Sequence, residues 1–153
     1  MPEQDEEAPE VRTEEKTAVK TLGDLVSEAR SRIREVAPDD LAEAMEQGEP
    51  WLIVDVREPY EYERLHVPGS VLIPRGLLEG AADPHSRHRI DALCNARERP
   101  LALLCSTGSR SAFAAVVLGQ MGFADVVNIA GGIRLWESED LPTARGPWTG
   151  PLP

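Results

Sequence analysis

A chain of 153 residues with 41% hydrophobic but only 5% aromatic side chains is long enough for one ordinary domain, with a core that must be aliphatic and alanine-rich. Its net charge of −11 is unevenly placed, because residues 1–15 hold seven acids against Arg12; the rest is only mildly acidic and offers no basic stripe for nucleic acid or an anionic membrane. No run approaches the roughly 20 apolar residues of a membrane span, and no basic region followed by an apolar run opens the chain, so a cytoplasmic protein with reduced thiols at Cys94 and Cys105 is expected.

In chain order, residues 1–20 are rich in Glu, Asp, Pro and Lys with almost no large apolar residue. They cannot repay the entropy of ordering and read as a flexible acidic tail. Residues 21–35 read as a helical extension. Thr21 and Asp24 form a capping pair, and Leu22, Leu25, Val26, Ala29 and Ile33 lie at helical spacing, with the helix ending near Arg32. Its apolar stripe must be buried, against the main domain or against a second copy in a homodimer. Pro38 to Gly48 is a second helix, with proline in the first turn and glycine as stop signal.

Trp51 to Val56 is apolar on consecutive positions apart from Asp55, as a strand covered on both faces should be. Asp55 falls at its carboxyl end, the edge where open α/β sheets place their ligands. Arg57 follows, and His66 sits before Pro-Gly, where it could act as a base or organise a loop. Residues 76–99 carry Arg87, His88 and Arg89, then a polar helix bearing Cys94; that cysteine reads as a helix-face residue, with a resolving thiol as the sharper alternative. The three histidines and Cys94 show no zinc-site spacing.

Leu101 to Leu104 is a second buried strand, starting after Pro100, and a well-buried helix runs from Ser111. Between them lies a tight loop, Cys105-Ser106-Thr107-Gly108-Ser109-Arg110. A turn entering a helix points several backbone N–H groups into one concavity, and the helix terminus adds partial positive charge. Cys105 is therefore a candidate nucleophile and the loop a candidate anion cradle. A buried structural cysteine is the commoner fate after an apolar strand, but packing does not explain the polar, loop-forming residues that follow. Asp125 to Ile129 is a last short strand, Gly131-Gly132 turns into a helix bearing Trp136, and residues 143–153 form a proline-rich, wrapped tail. Strands alternating with helices in short units predict an α/β fold with an open, mostly parallel sheet and helices on both faces.

Cys105-Ser-Thr-Gly-Ser-Arg110-Ser111 resembles the active-site loop of the rhodanese family. Asp55-Val-Arg-Glu58, Glu61, Tyr62, His66-Val-Pro-Gly-Ser70 and Ile73-Pro-Arg75 are similar to its upstream signature, and Gly131-Gly-Ile-Arg-Leu-Trp136 ending in Leu141-Pro142 to its closing segment. The resemblance covers residues 36–142, the expected rhodanese domain, and implies a five-stranded sheet and a sulfurtransferase. Cys105 would take a sulfane sulfur from thiosulfate or a persulfide and pass it to a thiol or cyanide. Ser106, Thr107, Gly108, Ser109, Arg110 and Ser111 would form the binding loop, with Asp55, Arg57 and His66 in support. No cofactor or metal is implied.

A sulfur-carrier module serving a sulfur-relay protein is the alternative. A phosphatase or arsenate reductase is a more distant one, because related folds of that kind place cysteine and arginine on a wider loop than Cys105 to Arg110. The family's first strand falls near Ile33 to Ala37, in conflict with the last turn of the expected helix. The position after the cysteine is often cationic in the family, and Ser106 there implies weak affinity for thiosulfate.

Overall fold

The computed structural model describes residues 18–153, and the acidic stretch before them lies outside the described residues. Thr21 closes a capping box: its Oγ accepts the Asp24 N–H at 3.1 Å, and the Asp24 carboxylate accepts the Thr21 N–H at 2.8 Å. Helix α1 runs Leu22–Arg30. Strand β1 follows at Arg34–Val36 and pairs in parallel with β5, Val126–Ile129. The helical extension expected over residues 21–35 therefore divides into a helix and an edge strand. The ladder is the reason: Ala130 N–H donates to the Val36 carbonyl at 2.9 Å, and such long-range pairing overrides local helical spacing. Only Val26 and Ala29 of the apolar stripe are buried, while Leu22 and Leu25 stay exposed.

The helix and strand expected next are present as α2 Pro38–Glu46 and β2 Leu52–Asp55, and they are followed by α3 Pro59–Arg64 and a short β3, Val71–Leu72. The poorly legible stretch 76–99 holds two short helices, α4 Leu78–Ala82 and α5 Asp91–Cys94. Strand β4 is Leu101–Leu104, α6 is Ser109–Gln120, and α7, after β5, is Gly132–Ser138.

The five strands form one sheet in the order β1-β5-β4-β2-β3, and every pairing is parallel. The middle strand explains its own composition. Leu101, Leu103 and Cys105 enter one core with Leu78, Leu93 and Leu118 of α4, α5 and α6. Ala102 and Leu104 enter the other with Leu41, Ile133 and Trp136 of α2 and α7. A strand covered on both faces has no use for a polar position. The same parallel arrangement brings the carboxyl ends of β2, β4 and β5 to one edge, so the residues after each strand meet there.

Two devices hold the loops beside that edge. At the end of β2, the fully buried Asp55 carboxylate accepts from Arg57 Nε at 2.9 Å and Nη2 at 2.8 Å, and the guanidinium also donates to the Leu65 carbonyl at 2.7 Å. The C-terminal tail returns over α3, with Ala144 and His66 exchanging backbone hydrogen bonds and Trp148 edge-on to Tyr62. A charge this deep tolerates no loss of its partner. Asp55→Ala leaves the Arg57 guanidinium buried and uncompensated, at an expected cost of about 3–5 kcal/mol in urea unfolding; a loss below about 1 kcal/mol would contradict this role.

Candidate active site

Cys105 directly follows β4, and the structure places the loop more tightly than its sequence suggests. Helix α6 begins at Ser109, so Ser109, Arg110 and Ser111 form its first turn and the loop proper ends at Gly108. Gly108 has φ of +101°, a left-handed conformation that a side chain would oppose. With the chain turned this way, the Gly108 N–H donates to Cys105 Sγ at 3.1 Å. The buried Ser111 hydroxyl donates to the same sulfur at 3.1 Å. The thiol is only 1% exposed, so it lies at the floor of the loop beneath a 12-residue helix rather than on a rim. Among the described residues, no histidine or carboxylate hydrogen-bonds to the sulfur.

The loop's carbonyls are drawn outward. Cys105 C=O accepts from Ile133 N–H at 2.9 Å and Ser106 C=O from Arg134 N–H at 3.2 Å. This contact needs Gly132, at φ +61°: a Cβ there would come within 2.5 Å of the Cys105 and Ser106 backbone. Gly108 C=O accepts from Asn128 Nδ2 at 3.0 Å. Asn128 is fully buried in β5, its Nδ2 also donates to Glu35 at 3.0 Å, and its Oδ1 has no partner. Glu35 in turn lies 3.7 Å from Arg30 of α1. These three residues escape a motif-based reading. The available signal was an asparagine inside an otherwise apolar strand, because a buried polar residue is the informative exception.

Arg110 does not stand free. Its Nη1 and Nη2 donate to the two carboxylate oxygens of Glu61 at 2.8 and 2.9 Å. The hydrogen bonds from Arg110 hold the Glu61 carboxyl below the usual glutamate range against the opposing effect of burial, and the Glu58 N–H adds to the lowering. The same pairing raises the arginine further above its already high value. The expected full positive charge of the loop is thus matched by a carboxylate.

The supporting residues lie farther out. Asp55 and Arg57 pair with each other, and Arg57 also reaches the Glu61 carbonyl at 3.4 Å, on the helix that carries the Arg110 partner. His66 bonds through Nδ1 to the Tyr62 carbonyl at 2.8 Å and stacks on the Tyr62 ring. Neither group touches Cys105. Ser106 in the loop and Ser109 at the start of α6 are half-buried, and Thr107 is exposed. Cys94 is a free thiol donating to the Ala81 carbonyl at 3.3 Å. Among the described residues, no group of three or more His, Cys, Asp or Glu could hold a metal ion, and no helix is long and apolar enough to cross a membrane.

Comparison with known proteins sets this geometry in context. A family model described as the rhodanese-like domain matches residues 37–139. The chain is 32% identical over 110 residues to a probable adenylyltransferase/sulfurtransferase MoeZ of Mycobacterium tuberculosis, covering 70% of this chain but 25% of that protein. It therefore spans about a quarter of the length of that relative. It is also 32% identical over 109 residues to the thiosulfate sulfurtransferase GlpE of Pseudomonas syringae, covering 71% of this chain and 91% of GlpE. Among solved structures, a Rhodopseudomonas palustris protein described as of unknown function and a possible tyrosine phosphatase superposes with a TM-score of 0.77 at 29% identity, covering 86% of this chain and 99% of that one.

The Glu61–Arg110 pair makes stability depend on acidity in a defined direction. Because the folded Glu61 carboxyl is depressed, the pair's contribution is complete above the ordinary glutamate value of 4.5 and is lost as pH falls through the lower folded value. Urea unfolding between neutral pH and pH 3 should show a steeper acid loss for the wild type than for Glu61→Gln. Parallel curves would mean that the pair does not form in solution.

Proposed function

The chain belongs to the rhodanese-like family, and we propose that within it the protein is a sulfurtransferase carrying a sulfane sulfur atom on Cys105. One observation carries this reading: a single sulfur, fixed by the Gly108 N–H and the Ser111 hydroxyl, under the first turn of α6.

The chemistry is two displacements at sulfur. In the first, the Cys105 thiolate attacks the outer sulfur of a donor, thiosulfate or an organic persulfide. The new S–S bond forms as the donor's own bond breaks, and sulfite or a thiolate leaves with the electron pair. In the second, a thiolate or cyanide attacks the outer sulfur of the persulfide, and Cys105 leaves as thiolate. Each state places negative charge on sulfur near the same two donors, and donors already aimed at developing charge need no reorganisation during the reaction. Neither displacement calls for a cofactor or metal. Ser106, Thr107, Ser109 and Arg110 complete the binding loop, while Asp55, Arg57 and His66 act from outside it by holding α3 and its neighbouring turn.

The word sulfurtransferase in the names of the Mycobacterium and Pseudomonas relatives supports transfer of sulfur; a sulfur-relay protein as partner and a place in the cytoplasm are part of the same proposal. The name of the Rhodopseudomonas protein raises the alternative of phosphate ester hydrolysis. Two features disfavour it: the short spacing of Cys105 and Arg110, and the pairing of both terminal nitrogens of the Arg110 guanidinium with Glu61, which offsets the cation's charge before any phosphate arrives. The same pairing, with a neutral Ser106, favours an organic persulfide over thiosulfate as donor.

Thiocyanate formation from a sulfane donor and cyanide tests this reading. Cys105→Ser should abolish it and Cys94→Ser should leave it unchanged. Ser111→Ala should slow sulfur loading by about tenfold or more, the worth of one hydrogen bond to a charged group. Thiocyanate formation by Cys105→Ser at the wild-type rate, or Cys105-dependent hydrolysis of an aryl phosphate without sulfur transfer, would overturn it.

A further inference from the structure

Beside the reactive loop, α3 and α7 enclose a hollow of about 430 Å³, within the size range of small-molecule sites. Its wall includes Tyr60, Arg64 and Leu65 from α3 and the turn after it, Arg134 and Glu137 from α7, and Ser106 from the loop. Ser106 follows Cys105 directly, so one edge of the hollow is a single residue, about 3.8 Å along the chain, from the sulfur-bearing residue.

The charges in this hollow divide into two sets. Arg57 is consumed by Asp55 and Glu61 by Arg110. Arg64, Arg134 and Glu137 are exposed, and none has a side-chain hydrogen bond or ion pair among the described residues. Two guanidiniums and one carboxylate without side-chain partners therefore line the hollow, together with the less polar Leu65 and Tyr60. Thiosulfate, a compact dianion with no hydrogen-bond donor, gives Glu137 nothing to bind. A molecule with two carboxylates and one ammonium satisfies all three groups, because each guanidinium can clasp a carboxylate through two parallel N–H donors.

We propose that this hollow is the subsite for an amino-acid-derived low-molecular-weight thiol or its persulfide, with Arg64 and Arg134 binding its carboxylates and Glu137 its ammonium. The proposal rests on the sulfur-transfer reading and names the substrate class of that site. The ligand's sulfur arm points past Ser106 toward Cys105. As donor, its outer sulfur bonds to the Cys105 sulfur while its own S–S bond breaks, and the thiol leaves as thiolate with the electron pair. As acceptor, the same thiolate takes the sulfur back in the reverse displacement.

The test measures single-turnover loading of Cys105 by mass spectrometry, using glutathione persulfide and the persulfide of 2-mercaptoethanol, which carries neither carboxylate nor ammonium. The readout is the ratio of the two second-order rate constants, which discounts any general effect on the loop. Replacing both arginines, Arg64→Gln with Arg134→Gln, should lower the ratio by about tenfold or more, as loss of charge-assisted hydrogen bonds predicts. Persulfide made from a glutathione ester should show a similarly reduced ratio on the wild-type protein. The Arg134 backbone N–H that holds Ser106 survives the substitution.

An unchanged ratio in the double variant overturns the subsite, as does a wild-type protein loaded by thiosulfate but by neither persulfide; both outcomes leave sulfur transfer standing. A wild-type protein that no donor loads overturns the sulfur-transfer reading and the subsite with it.

Discussion

The backbone of Cys105 and Ser106 lies so close to the start of α7 that a single added carbon at Gly132 would collide with it. That contact decides which way the reactive loop faces. With the Cys105 and Ser106 carbonyls taken by Ile133 and Arg134, and the Gly108 carbonyl by Asn128, three acceptors of the loop point outward. The Gly108 amide is left directed at the sulfur. A loop of this kind obtains its polarity from where its carbonyls are tied rather than from charged side chains. The fold supplies both ties, because β4 and β5 are parallel neighbours and the turns after them meet at one edge.

Charge at the site follows a second rule. Two cations of the site, Arg57 and Arg110, each hold a carboxylate through two N–H donors, so their work is positional. Arg57 fixes the turn after β2 and the helix behind it; Arg110 joins the start of α6 to that same helix through Glu61. The unpaired charges lie one step out, on the wall of the hollow between α3 and α7. In the proposed reading, this separation leaves the cradle to hold a sulfur atom and the surrounding wall to select a larger, mixed-charge molecule.

Much of this was legible from residues alone. The Thr21 and Asp24 capping pair, the two strands apolar at consecutive positions, and the small-residue loop after Cys105 each depend on neighbours close in sequence, where propensity and spacing act. The parallel sheet and its two covered faces followed from the alternation of strands and helices. Features set by distant partners were not visible in the same way. Strand β1 exists because β5 offers it a ladder, although its residues continue a helical spacing. Arg110 reads as a free cation until α3 brings Glu61 against it. The chain from Arg30 through Glu35 and Asn128 to the Gly108 carbonyl joins three separate elements, and only the lone asparagine in a buried strand hinted at it.

The proposed sulfur transfer turns on Cys105 Sγ as the atom that carries sulfur within the loop. The most direct measurement is a crystal structure of the protein after treatment with a sulfane donor, at a resolution that separates bonded sulfur atoms. One additional sulfur bonded to Cys105 Sγ, inside the turn formed by Gly108 and Ser111 and with Cys94 unmodified, is the predicted result. Additional sulfur on Cys94, or an unmodified Cys105 in protein whose mass shows that sulfur has been taken up, would contradict it.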